Sequence, residues 1–143
     1  MCIIVPNLCM SQFLEKSNES LSSADILIKQ QYYSSTVNRA YYGYFQFLMH
    51  TLFYKLEQDR EQFDIASNKN NEGSHVRASN LILVLIQTKV TNSKYKWFQA
   101  TIKELKKKRN FADYSDIEIT PDDGTNSIKW ANALIDCVEQ NIK

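Results

Sequence analysis

Leu81-Ile82-Leu83-Val84-Leu85-Ile86 is the longest apolar run in the chain, and its reading decides the fold class. Six consecutive apolar residues suit a buried strand as well as a buried helix, because periodicity is silent where every position is apolar. A strand needs partners, and the rest of the chain offers none. Three Gly and two Pro in 143 residues also fall short of the turn every ~8–12 residues that a β-sandwich or barrel requires. The run is therefore read as the middle of a central core helix, with Ser74 as N-cap and an end near Val90.

Working outward, the flanking segments carry helical spacing. Leu14, Ser17, Leu21, Ala24 and Ile28 give residues 11–30 one apolar stripe. Val37, Tyr41, Tyr44, Leu48 and Leu52 form the core face of the longest helix, residues 34–58. Gly43 inside it costs up to ~1 kcal/mol against Ala, which the close approach of another helix would explain. Residues 59–73 are polar and end in Asn68, Asn70, Asn71 and Gly73, so they read as a long loop. A fourth helix covers residues 93–112. The fifth is announced by Thr120 as N-cap, Pro121 at the first helical position, and Asp122 and Asp123 in the first turn. Its seam is Ile128, Ala131, Ile135, Val138 and Ile142, and residues 115–119 before it read as extended. The sum is an all-α fold: an up-and-down four-helix bundle with an additional C-terminal helix.

One domain accounts for the length. Residues 1–10 read as an N-terminal extension and residues 11–143 as a single helical domain. Met10 directly precedes the first helix, so residues 1–9 are expected to be dispensable. That extension is apolar, lacks a basic n-region and is too short for a signal peptide. The longest apolar run falls far short of the ~20 residues that span a bilayer. Lys+Arg 17 against Asp+Glu 16 gives a net charge of +1, which excludes a strongly basic nucleic-acid coat protein and an acidic disordered tail. Cys2, Cys9 and Cys137 are odd in number and lack the paired spacing of a zinc site. They fit a chain kept in the reducing cytoplasm. No metal and no cofactor is expected.

One residue breaks the helical pattern. The apolar stripe of residues 93–112 runs Phe98, Ile102, Leu105 and then Arg109 and Ala112. Arg109 thus occupies a seam position, and an unpartnered guanidinium there costs several kcal/mol. Either it pairs with a carboxylate, for which Asp113 lies one turn on, or it lines a cleft that receives an anion. Arg39 is a rival partner for Asp113, which makes Arg39 and Asp113 a candidate structural ion pair. Lys106, Lys107 and Lys108 precede Arg109, and residues 103–109 sum to +4, while residues 113–123 sum to −5. The lysines either complement the helix C-terminus or form, with Arg109, a phosphate-attracting rim that steers RNA. His50 and His75 are the only histidines. One lies on a polar strip and the other at a helix start, and both read as solvated or hydrogen-bonded structural residues.

Asn38-Arg39-Ala40-Tyr41-Tyr42-Gly43-Tyr44-Phe45 resembles the second-helix signature of HEPN domains. Glu72-Gly73-Ser74-His75, ahead of an apolar helix, is similar to the Gly/Ser/Thr-His start of that family's third helix. Arg109-Asn110-Phe111-Ala112-Asp113-Tyr114 resembles the RxxADY form in the family's small single-domain branch. The resemblance covers about residues 11–143. It implies a small all-helical domain of a prokaryotic toxin–antitoxin or defence system. It also implies a homodimer with Arg109 near the two-fold axis, a minimal nucleotidyltransferase as partner, and RNA or a nucleotide as ligand. Active members cut RNA without metal, using an Arg followed a few residues later by a His. Arg109 and Asn110 match that motif, but Tyr114 stands where the His belongs. An unperturbed His has a pKa near 6.5 and a Tyr one near 10, so at neutral pH about one Tyr in a thousand is a base.

The resemblance therefore implies a degenerate site of Arg109, Asn110 and Tyr114, with Arg109, Lys106, Lys107 and Lys108 as the RNA- or nucleotide-binding set. Two other readings stay open. One is a metal-independent endoribonuclease using Tyr114 or a His from elsewhere. The other is a non-catalytic helical subunit whose aromatic surface docks a partner protein.

Overall fold

The computed structural model describes residues 11–69 and 73–143. The expected extension at residues 1–10, with Cys2, Cys9 and Met10, lies outside the described residues, as does Glu72. Six helices follow in order: α1 (Gln12–Lys29), α2 (Tyr33–His50), α3 (Arg60–Lys69), α4 (Ser74–Gln87), α5 (Asn92–Tyr114) and α6 (Pro121–Asn141). A π-helical turn, Thr51–Lys55, continues α2. There is no strand among the described residues, and the all-α reading stands. None of the described helices is long and apolar enough to cross a membrane.

The core is built on α2. Val37, Tyr41, Tyr44, Leu48 and Leu52, the face expected from the spacing, are all buried. Helices α1, α5 and α6 pack around α2, and α6 brings Ala131, Leu134, Ile135 and Val138 to the same core. Helices α1 and α2 form an antiparallel hairpin in which Ser11 meets His50 and Ser17 meets Gly43. A Cβ on Gly43 would lie 2.6 Å from Leu21 Cδ2, and Ser17 Oγ donates to the Gly43 carbonyl at 2.6 Å. The hydrogen-rather-than-methyl at Gly43 is what lets α1 come this close. At the start of α1, Ser11 Oγ accepts from the Leu14 amide at 3.1 Å and is hydrogen-bonded to His50 Nδ1 at 2.6 Å.

Residues 60–69, expected as loop, are helical. Asp59 Oδ1 caps the Gln62 amide at 2.9 Å, Arg60 pairs with Asp64 one turn on, and Phe63 is buried edge-on against Phe53. The polar sequence reads as a loop because the helix's apolar anchoring rests largely on that one aromatic ring. Helix α3 has a topological consequence. It returns the chain by roughly 15 Å, at ~1.5 Å per residue, so that α4 starts beside the middle of α2 and runs parallel to it. Tyr41 meets His75 and Tyr44 meets Ser79. With α3 as the return, the direction of the chain still alternates from helix to helix.

Helix α4 is not the central helix that its sequence invited. Ile82 and Ile86 are fully buried, but Val84 is 63% exposed. Its N-cap is Gly73 rather than Ser74. Helix α5 begins at Asn92, with Thr91 Oγ1 accepting from the Lys94 amide, and extends to Tyr114, which makes the whole Arg109–Tyr114 segment helical. Helix α6 starts as expected, with a reciprocal capping box between Thr120 and Asp123 behind Pro121.

Candidate functional site

Helix α5 runs antiparallel to α2 and lays Arg109 over the two tyrosines of the NRAYY segment. The guanidinium carbon lies 5.3 Å from the Tyr41 ring, 5.5 Å from Tyr42 and 5.4 Å from Tyr114. Arg109 Nη2 donates to Tyr42 Oη at 2.9 Å. Nε lies 2.9 Å from Asp113 Oδ2, yet its N–H is not aligned on any acceptor, so the pair is a charge contact rather than a directed hydrogen bond. Nη1 makes a single long contact, 3.4 Å, with Asn110 Oδ1. The side chain is 14% exposed. Burial works against its charge, but Tyr42, Asp113 and Tyr114 outweigh burial and hold the guanidinium firmly cationic.

Of the two readings of the seam arginine, the ion pair is the one seen. The carboxylate partner is Asp113, one turn on, as the spacing implied. Arg39 does not pair with Asp113, contrary to expectation. Asn38 stands between them: its Nδ2 donates to both Asp113 oxygens at 3.2 and 3.0 Å, while its Oδ1 accepts from Arg39 Nε and Nη2 at 3.0 and 2.8 Å. Arg39 also sits 5.2 Å from the Tyr42 ring, so this one phenol ring carries a cation from each of two helices. Asp113 is shared between Asn38 and Arg109, which spreads its charge over two partners.

The three lysines do not form one rim. Consecutive residues on a helix point ~100° apart, and here that sends them to three places. Lys108 Nζ pairs with Asp123 Oδ1 at 2.9 Å and ties α5 to the first turn of α6. Backbone and side-chain hydrogen bonds with Thr120 and this lysine hold Asp123 below the usual carboxylate range, against the opposing effect of burial. Lys107 is exposed and lies over Phe111. Lys106 faces a groove between α4 and α5, in company with Lys103 one turn back. Tyr114 closes α5 with 76% of its surface exposed, its ring beside the guanidinium.

His75 is the residue that the sequence underrated. The α3 return places it against α2, where Tyr41 Oη meets Nδ1 at 2.8 Å and Phe45 stacks on the imidazole at 3.9 Å, nearly parallel. Burial, and then the charges of Arg109 and Lys106, push its pKa below the ordinary 6.5, so the imidazole is neutral at pH 7. Tyr41 is pushed up to about 12 by burial, which the nearby Arg109 opposes, and it keeps its proton. His75 and Arg109 therefore both contact Tyr41 and Tyr42. No spacing in the sequence links residues 75 and 109; only the helix hidden in residues 60–69 does. His50, by contrast, is buried away from this centre on Ser11 and Tyr54. Among the described residues, no group of three or more His, Cys, Asp or Glu side chains is placed to hold a metal ion.

An Arg at the end of α5, laid on the tyrosines of an NRAYY helix, is an arrangement to set against known families. The chain matches the family model for the HEPN domain over residues 10–141. It belongs to the HEPN family. Searches of the curated proteins and of the solved structures found no match. Membership places this HEPN domain in a family whose functions concern nucleotides and RNA.

Proposed function

We propose that this HEPN domain binds the phosphate of an RNA or nucleotide at Arg109. In this reading it is a cytoplasmic component of a prokaryotic toxin–antitoxin or defence system that acts with a minimal nucleotidyltransferase. The observation that carries the phosphate contact is the state of the guanidinium. It is fixed on one side by Tyr42 and Asp113, while Nη1 has no partner beyond one long contact to its neighbour. Two donors on a pre-oriented fork match a phosphate oxygen pair. The exposed Tyr114 ring next to them offers a surface on which a base stacks, a contact worth ~1–3 kcal/mol. The nucleotidyltransferase and the biological setting are supported by the family alone. A homodimer with Arg109 near its axis belongs to the same proposal and is consistent with the exposed apolar surface of Tyr114 and Ile117 nearby in the chain.

The test is fluorescence anisotropy with labelled single-stranded RNA in EDTA at two salt concentrations. Binding is expected to weaken with salt and to weaken at least ~10-fold in Arg109→Ala, with Arg109→Lys failing to restore it. Equal affinity for wild type and Arg109→Ala would refute the site.

A second reading, a metal-independent endoribonuclease, is favoured by one observation: a neutral imidazole lies beside the same tyrosines as Arg109. In the tautomer where Nδ1 donates to Tyr41, Nε2 is a free base. RNA cleavage in EDTA that both Arg109→Ala and His75→Gln abolish would support it. Binding without cleavage would leave the binding function alone standing.

A further inference from the structure

We propose that residues 115–120, the link between α5 and α6, are an open strand edge that pairs with an extended segment of a partner protein in which basic and apolar residues alternate. The link is extended at both ends: Ser115 has φ −128° and ψ 169°, and Thr120 has φ −82° and ψ 164°. Neither helix nor turn interrupts it. At ~3.3 Å per residue it reaches roughly 20 Å, the length of an ordinary strand. It has no neighbouring strand among the described residues, and residues 115–118 are all exposed.

Its alternation defines the occupant. Along an extended chain, side chains alternate between two faces, and successive residues turn their amides and carbonyls to opposite edges. Ile117 and Ile119 share one face. Ile119 is buried and anchors the link, but Ile117 is 51% exposed, so the apolar face runs out past the core. Asp116 and Glu118 share the other face. They belong to a stretch, residues 113–123, that carries five carboxylates. Asp113 pairs with Arg109 and Asp123 with Lys108. Asp122 sits in the first turn of α6, where the helix dipole favours it. Asp116 and Glu118 form no ion pair with any described residue. The two edges differ as well. The Ile117 amide donates to Ser115 Oγ at 3.2 Å, whereas Asp116 and Glu118 turn their amides and carbonyls to the opposite, exposed edge.

An antiparallel strand added to that edge sets one of its residues directly opposite Asp116 and another opposite Glu118, each exchanging both backbone hydrogen bonds. Cross-strand neighbours on one face favour opposite charge, so those two residues are Lys or Arg. The residue between them lies beside Ile117 and is apolar. The same rule counts against nucleic acid, whose phosphates the carboxylates repel. It also counts against a second copy, because antiparallel self-pairing about Ile117 sets Asp116 opposite Glu118.

The inference uses none of the Arg109 contacts, so it and the phosphate reading fail separately. Fluorescence anisotropy at low salt tests it with a labelled, end-blocked peptide of about six residues that alternates Lys and Val. Its companions are the Glu–Val counterpart and two N-methylated forms, one methylated at the lysines and one at the valines. The proteins are wild type, Asp116→Lys/Glu118→Lys, Ile117→Ser, Arg109→Ala and, as a control for charge alone, Asp25→Lys at an exposed position of α1. Thermal melts verify that each folds. The expected result is saturable binding of the Lys–Val peptide. It is weakened about 10-fold or more in Asp116→Lys/Glu118→Lys and in Ile117→Ser, and changed less than about 3-fold in Arg109→Ala and Asp25→Lys. Methylation at the lysines, whose amides meet the edge, abolishes binding, and methylation at the valines leaves it. Four results overturn the proposal: no saturable binding, equal binding of the Glu–Val peptide, equal effects of the two methylations, or a wild-type dimer in sedimentation that Ile117→Ser dissociates, which assigns the face to a second copy.

Discussion

Replacing Gly43 with alanine sets a gain against a clash. Alanine in mid-helix is worth up to ~1 kcal/mol over glycine. The new methyl would lie 2.6 Å from Leu21 Cδ2 and 2.7 Å from Cγ, and overpacking of this kind costs ~1–3 kcal/mol. The clash wins, and Gly43→Ala is expected to lower stability to urea by about 1 kcal/mol, with part of the loss recovered when Leu21→Ala is added. Strict additivity of the two substitutions would contradict this packing. At this scale, the sequence was legible where a residue broke a pattern. Gly43 in a helix and Arg109 in an apolar stripe each announced a contact, and each contact exists. It was illegible for the lysines, because a run of identical charges carries no direction. Which of them meets Asp123 and which faces the groove depends on how α5 is rotated against α4 and α6. It was misleading for Arg39, where an adjacent asparagine took the place of the expected carboxylate.

Elements with strong end signals were readable from sequence, and α6 is the clearest. Thr120, Pro121 and Asp123 specify its first turn before any packing is considered. Thr120→Ala is expected to cost about 1 kcal/mol in urea unfolding; a value near zero would show that the packing of α6 alone fixes its start. Helix α3 is the opposite case. Its polar composition hides one buried ring, Phe63, held edge-on by Phe53. Removing a buried phenylalanine commonly costs ~3–5 kcal/mol. Phe63→Ala is expected to release amide protection along residues 60–69 in hydrogen exchange before the rest of the bundle opens. Because α3 delivers His75 to Tyr41, the same variant is expected to weaken whatever His75 contributes. Uniform loss of protection throughout the molecule would argue that α3 is not a separable unit. Helix α4 differs from its expected central place for the converse reason. An unbroken apolar run looks central, yet only Ile82 and Ile86 among those six residues are fully buried, since a helix lying on one side of α2 has one covered face.

The molecule as a whole carries two histidines in partly or wholly buried sites, and both have pKa values lowered chiefly by burial. The unfolded chain, with histidines near 6.5, takes up protons before the folded one does. Stability contributed in this way is complete above about pH 7 and is lost as pH falls through 6.5 toward the folded values. The urea midpoint is expected to drop between pH 7.5 and 5.5, a window above the carboxylate range. His75→Gln and His50→Gln should each flatten the profile; a midpoint constant over that interval would exclude the effect. The all-α class and most of the α2 face were visible in spacing alone, because buried positions on a long amphipathic helix repeat. The parallel placement of α4 was not, because it depends on a connection whose helical character lay in capping and a single aromatic anchor.

The π-helical turn at Thr51–Lys55 joins this central helix to that connection. A π turn closes its hydrogen bonds one residue further on than an α turn, as the Leu56 amide does on the Thr51 carbonyl at 2.9 Å. It therefore takes up an additional residue just before the chain leaves the long helix, and only residues 56–59 remain before α3 begins at Arg60. Slack at this exit is what lets the chain turn back far enough for the Phe63 ring to seat against Phe53.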